Sequence, residues 1–392
     1  MKIGLETGRF TTRTIAALLV AAAATAWSPA ALGQEGLPPD IVASTTQLGG
    51  TQREAIKTYV ATHSPNLTNT DSTVLIRARA DLLGPLQGSD VGVSFRTAYS
   101  EELEKVLQPL IGDDRDIVAV NALRIAGELS TRQGAALLEK MLTSKKLTVR
   151  YAAVAGIGRT FENLARTAPA MNAEAARNLA GKLAPVLRGE TDSNVFDVAV
   201  RAVMSAGALD RDGWGSLRDD AMATLAPAIS ERFQKLGTAA AEPAMMQALI
   251  RACSAGRDAL AIAGGRPLSA DNQKLAAAMG GDGLAYVQRL IQAKVFATIL
   301  PEDSEAQREQ KTQARTTLAD LAAVAYATIT FANDGLGGPA LPASTARPLS
   351  DLIRSAKSED DAKFLESLRD LIGDNGALSK PPFSFPRSRF AK

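Results

Sequence analysis

The sequence is poor in the residues that most chemistry needs. Its 392 residues include one Cys, one His, two Trp and five Tyr, and aromatic residues make up 5%. A single Cys forms no internal disulfide framework, and one Cys with one His does not supply a structural zinc site. Charge of one sign is lacking too: 44 Lys and Arg face 42 Asp and Glu, a formal net charge of +2. Such a balance gives no general attraction to nucleic acid or to acidic membranes. What is present is 46% hydrophobic residues. That share is too high for a disordered chain and sufficient for one or two large cores.

The amino terminus reads as a targeting segment. Lys2, Arg9 and Arg13 precede an apolar run from Thr14 to Trp27, Pro29 breaks the run, and Ala31 and Gly33 lie just before Gln34. A positive n-region, a short apolar region and small residues at a cut make a secretory signal peptide over residues 1–33. The run, about 14 residues, is shorter than the roughly 20 that span a bilayer. An uncleaved anchor is the alternative. No Cys follows the cut to carry a lipid, and no Arg pair precedes the apolar run to mark a folded-export signal. Cleavage near Gly33/Gln34 predicts a secreted or periplasmic protein, of bacterial type, with no stable membrane insertion. The segment takes away three basic residues and Glu6, leaving 41 of each sign, so the mature chain is neutral. Asn66-Leu-Thr68 is a glycosylation sequon only in a host with a eukaryotic secretory route.

From Thr51 onward the patterns are helical. Thr51 to Glu54, Ser130 to Gln133 and Ser304 to Gln307 match the capping-box spacing. Leu103, Leu107 and Leu110 form one apolar stripe, as do Leu137, Leu138, Met141 and Leu142. The best strand candidate is Asp90-Val-Gly-Val-Ser-Phe95.

Internal similarity carries the architecture. Val118-Ala-Val-Asn-Ala-Leu-Arg-Ile-Ala-Gly127 aligns with Val149-Arg-Tyr-Ala-Ala-Val-Ala-Gly-Ile-Gly158 and with Val198-Ala-Val-Arg-Ala-Val-Met-Ser-Ala-Gly207. Each has Val, Ala four residues on, an aliphatic residue next, and Gly nine after the Val. Upstream lie Leu107-Gln-Pro-Leu110, Leu183-Ala-Pro-Val186 and Leu225-Ala-Pro-Ala228. Asp116 and Asp192 each follow seven residues after a Pro. Pro ends or bends a first helix, Asp caps a second, Ala permits close approach, and Gly closes the unit. Over residues 101–257 these units resemble the HEAT-repeat family of α-solenoids. Val149-Arg150 matches the Val-Arg pair of that family, whereas Val118-Ala119 and Val198-Ala199 depart from it, and Gln234 stands where the fourth unit would carry Asp. An ordinary Ala-rich bundle is the plainer alternative. The resemblance implies an all-α stacked solenoid that holds other macromolecules.

The flanks read less regularly. Residues 34–100 predict two or three helices, and residues 258–373 a helical extension or degenerate repeats that cover the solenoid's end. Within the latter, residues 258–271 and Gly280-Gly-Asp-Gly283 read as loops. Helices are expected over 283–300, 305–331, 346–356 and 359–371, with a linker over 333–342. A Pro-rich tail occupies 374–392.

Candidate chemistry is sparse. His63, in Ala61-Thr-His-Ser-Pro65, reads as an exposed residue at a helix end rather than as a general base, and no Gly-x-Ser-x-Gly or Ser-x-x-Lys occurs. Cys253 lies in an apolar helical stretch, where a buried, inert thiol is expected. Asp210, Asp212 and Asp219 partly match a calcium loop, but Ala208 occupies its first position, so a turn capped by Asp212 or Ser216 is the better reading. Neither Gly264-Gly265 nor Gly280-Gly281 is followed by the Lys-Ser/Thr of a phosphate-binding loop. The tail sets Phe383, Phe385 and Phe390 beside Arg387 and Arg389. These five are candidate partner contacts, or else parts of a tail that is disordered or folds back on its own helices. The expectation is an exported, non-catalytic scaffold with a protein partner and neither cofactor nor metal. The alternatives are an envelope-polymer enzyme using acidic residues and a helper tethered by an uncleaved signal.

Overall fold

Short polar turns divide the chain into helices whose apolar faces pair in a fixed alternation. The computed structural model describes residues 36–88, 90–211, 214, 217–261, 267–342 and 347–390. The signal segment, together with Asp212 and Ser216 of the calcium-like turn and the Gly264-Gly265 pair, lies outside the described residues. In chain order the helices are α1 (Pro39–Val42), α2 (Gly50–His63), α3 (Ser72–Leu83), α4 (Val93–Leu110), α5 (Asp116–Leu129), α6 (Arg132–Met141), α7 (Leu147–Arg166) and α8 (Ala173–Gly181). They continue as α9 (Ala184–Gly189), α10 (Ser193–Gly207), α11 (Leu217–Leu236), α12 (Pro243–Ala261), α13 (Ala270–Gln292), α14 (Glu305–Gly335), α15 (Leu349–Arg354) and α16 (Ser358–Ile372).

Two layers result. In the first, α2, α4, α6, the α8–α9 pair, α11, α13 and α16 pack in succession; in the second, α3, α5, α7, α10, α12, α14 and α15 do so. Each first-layer helix also touches its second-layer neighbour, which makes the residues from Leu37 onward an all-α solenoid. The alternation runs through α13–α16 without a break. No strand occurs among the described residues apart from one isolated bridge between Thr131 and Ala170.

The three similar stretches fall on α5, α7 and α10, three consecutive rungs of the second layer. Ala122, Ala153 and Ala202, at one repeat position, are all buried, as are Leu123, Val154 and Val203 beside them. The small residues set the spacing. A Cβ added at Gly127 would stand 2.8 Å from Gly156 Cα, so α5 and α7 approach backbone to backbone there.

Polar residues close the turns. Asp192 caps α10 by accepting from the backbone N–H groups of Asn194 and Val195 at 3.0 Å each. Arg150 of the Val-Arg pair grips Glu190 with two bonds (2.9 and 3.1 Å) and donates to Ser144 O at 2.8 Å. Arginines from neighbouring rungs reach the free carbonyls at helix C-termini. Arg96 donates to Glu128 O and Leu129 O at the end of α5. Arg211 donates to Leu164 O and Thr167 O at the end of α7. Arg232 donates to Leu187 O and Glu190 O after α9, and Arg289 to Phe233 O and Gly237 O after α11. Each puts positive charge where the helix dipole is negative and satisfies carbonyls that have no partner within their own helix.

Several local expectations are corrected. Val93–Phe95 form the first turn of α4 rather than a strand. The box expected at Thr51 falls at Gly49, whose N–H donates to Gln52 Oε1, and the next cap is Thr131 rather than Ser130. The box at Ser304 and Gln307 forms as expected. Asp116 is the first residue of α5 and binds Thr148 and Lys146 instead of capping. Pro185 opens α9, and Pro227 lies inside α11, so the Pro motif has no single role. Gly280-Gly-Asp-Gly283 lies mid-helix in α13. Glycine disfavours a helix locally, but here α14 and the C-terminal tail press against it: Cβ atoms at Gly280 and Gly281 would lie 2.6 Å from Ala325 O and 2.5 Å from Phe390 Cε1. The helix expected over 283–300 therefore starts earlier, at Ala270, and ends at Gln292. Similarly, α14 runs through Asn333 to Gly335, into the expected linker.

Candidate functional site

An open groove of about 830 Å³ crosses α3, α5, α7 and α10 of the second layer. Its lining is set by helical spacing. Val120, Arg124 and Glu128 succeed one another every fourth residue of α5, and Tyr151, Ala155 and Arg159 do the same on α7. Arg79 and Leu83 come from α3, Leu147 and Thr148 from the start of α7, and Asp192, Asn194 and Val195 from the start of α10. Four large apolar side chains stand exposed on this stretch of layer: Ile76 (45%), Ile117 (42%), Leu147 (44%) and Tyr151 (43%). Ile76 lies one turn before Arg79, and Ile117 one turn before Val120, so both continue the groove's apolar surface.

The groove's charges are unequally engaged. Glu128 accepts from Arg159 Nε at 2.7 Å and from Asn163 Nδ2 at 2.8 Å. Burial works to lower the Arg159 pKa, but hydrogen bonds to Glu128 and Glu162 outweigh it and the net shift is upward. Asp192 is occupied as the cap of α10. Arg79 has only the neutral Asn121 amide as acceptor, and burial, then the charge of Arg124, pushes its pKa down. Arg124 is exposed and has no carboxylate partner among the described residues.

The residues singled out by sequence are elsewhere. Phe383 and Phe390 of the tail are 3% and 6% exposed and Phe385 is half-buried, so the tail folds back on α13. Phe385 stacks on Phe383 and meets Phe390 edge-on, each at 5.9 Å. Arg389 lies over the rings of Phe385 and Phe390 and binds Asp282 Oδ2 at 2.9 Å. Only Arg387 of the five stands fully on the surface.

His63 is buried, not exposed. It ends α2 with Nδ1 3.5 Å from Asp81 Oδ2 and its ring 4.4 Å from that of Tyr59. Burial and then the Asp81 charge push the Tyr59 hydroxyl up to about 12. None of the three lines the groove. The Cys253 thiol is fully buried in α12, and burial pushes its pKa up to about 12, which makes it a poor nucleophile. Asp219 accepts from Ser269 N, Ser269 Oγ and Asn272 Nδ2, tying α11 to the start of α13. Among the described residues no three His, Cys, Asp or Glu side chains are grouped so as to hold a metal, and no helix is long and apolar enough to cross a membrane.

Sequence reasoning missed Arg79, Arg124, Tyr151 and Arg159. The repeat alignment held the signal for three of these, because positions two, six and ten past the repeated Val face away from the buried Ala.

No family model matches the chain, and no curated protein matches it. Among solved structures it is similar to an engineered protein at 18% identity, with 70% of this chain and 97% of that one covered and a TM-score of 0.37. It is also similar to a designed armadillo repeat protein in complex with the peptide (KR)4, at 14% identity, 69% and 99% coverage and a TM-score of 0.37. Computationally designed armadillo repeat proteins for modular peptide recognition align at 18% identity, 69% and 99% coverage and a TM-score of 0.28. The description of the fold rests on the helix packing itself.

Proposed function

We propose that this protein is an exported, non-catalytic scaffold whose HEAT-like rungs hold a protein partner along the second layer. The observation that carries the reading is the run of exposed Ile76, Ile117, Leu147 and Tyr151 beside the groove. Apolar side chains clustered on one face of successive helices mark interaction surfaces. Support for export comes from the charged start and short apolar run of residues 1–33. Sequencing the amino terminus of protein from its native host should give Gln34 as the first residue; a start at Met1 would mean that the segment stays on.

The partner surface is tested by a photo-crosslinking amino acid at Tyr151, with one at exposed Lys140 on α6 as the first-layer control. Irradiation in the native envelope should join one defined protein to the Tyr151 probe and none to the Lys140 probe. Equal labelling at both positions, or none at Tyr151, would remove the basis for this surface.

A further inference from the structure

We propose that the groove selects an acidic, aliphatic peptide segment laid in extended form across α3, α5, α7 and α10. This inference rests on the scaffold reading and names the chemistry of its partner.

The argument begins with charge. Both carboxylates of the groove are satisfied within the protein, Glu128 by Arg159 and Asn163 and Asp192 by the amino end of α10. The two arginines at its α3–α5 side are not matched in this way. Arg79 has a neutral acceptor, Arg124 has no carboxylate, and they repel each other. A carboxylate placed between them would accept charge-assisted hydrogen bonds and relieve that repulsion. A basic segment would meet the same two charges with the wrong sign.

The rest of the lining suits a peptide better than a bare ion. Leu83, Val120, Leu147, Tyr151, Ala152 and Ala155 offer apolar surface next to the arginines. Asn194 is exposed at the α10 end and carries both a donor and an acceptor for a peptide backbone. Length also fits. Four packed helices at about 8–10 Å spacing span roughly 24–30 Å, which an extended chain covers in about eight residues at about 3.3 Å each.

The test uses the mature protein and two fluorescein-labelled octapeptides, one alternating Glu and Leu and the other alternating Lys and Leu. Fluorescence anisotropy should show the acidic peptide binding at least about tenfold more tightly, as expected for two partly desolvated charged hydrogen bonds. The ratio should fall to about twofold or less in R79A/R124A, and R124E alone should reverse it. Arg124 is exposed, so that second substitution leaves the fold intact. Equal affinity for both peptides, or a preference that survives R79A/R124A, would overturn the inference. Crosslinking through Tyr151 does not depend on the sign of charge, so the scaffold reading can survive that failure.

Discussion

Replacing Ala153 with glutamate should cost at least about 4 kcal/mol and abolish the sharp thermal transition, or lower its midpoint by about 10 °C or more. Ala153 is fully buried on α7, which packs between α5 and α10. The substitution adds volume to a seam held at glycine and alanine distance and brings a carboxylate with no cation placed to receive it. Circular dichroism melts of A153E and Y151E separate packing from charge. Tyr151 lies on the same helix but is 43% exposed, so its change should stay within about 0.5 kcal/mol. Ala122 and Ala202 occupy the matching repeat position, and glutamate there should have a like effect. A melt of A153E indistinguishable from the parent would refute the register that stacks these three helices.

The second large effect is expected at the C-terminal tail. Arg389→Ala leaves Asp282 buried, 2% exposed, with Gln234 as its remaining side-chain donor among the bonds described above. Breaking a buried ion pair costs about 3–5 kcal/mol, and Arg389, 29% exposed, points to the lower end of that range. The deficit should depend on pH. Burial raises the Asp282 pKa above its ordinary value, while the charge of Arg389 and the hydrogen bond from Gln234 pull it down. A carboxyl whose folded pKa exceeds its unfolded one favours folding when protonated. That contribution is complete below the unfolded pKa and is lost as pH rises through the folded one. Removing Arg389 raises the folded value further, so the variant should lose more stability relative to the parent at about pH 8 than at about pH 5. Urea unfolding of both proteins at the two pH values measures it. Equal deficits would mean that Arg389 acts through its packing on Phe385 and Phe390 alone.

The middle of the fold was legible because its signal is short-range. Val118, Val149 and Val198, each with Ala four residues on, expose a period that only stacked helices satisfy. The Gly280-Gly-Asp-Gly283 turn was misread for the opposite reason. A glycine's cost in a helix is local, whereas the gain comes from Ala325 and Phe390, 45 and 109 residues away. His63 was misplaced likewise, since Tyr59 and Asp81 enclose it only after α2 and α3 pack. The tail aromatics were recognised as anchors, but what they anchor to is α13. The groove was the least legible feature. Arg79 and Arg124 lie on different helices, and neither looks unusual until α3 and α5 stand side by side.

The arginines that close helix C-termini set an order in time. Arg211, Arg232 and Arg289 come 44–47, 42–45 and 52–56 residues after the carbonyls they satisfy. A chain emerging amino end first, from a ribosome or through a translocation channel, leaves the last turns of α7, α9 and α11 to water until the following rung arrives. Each finished rung is thus sealed by its successor, and the newest one always trails open.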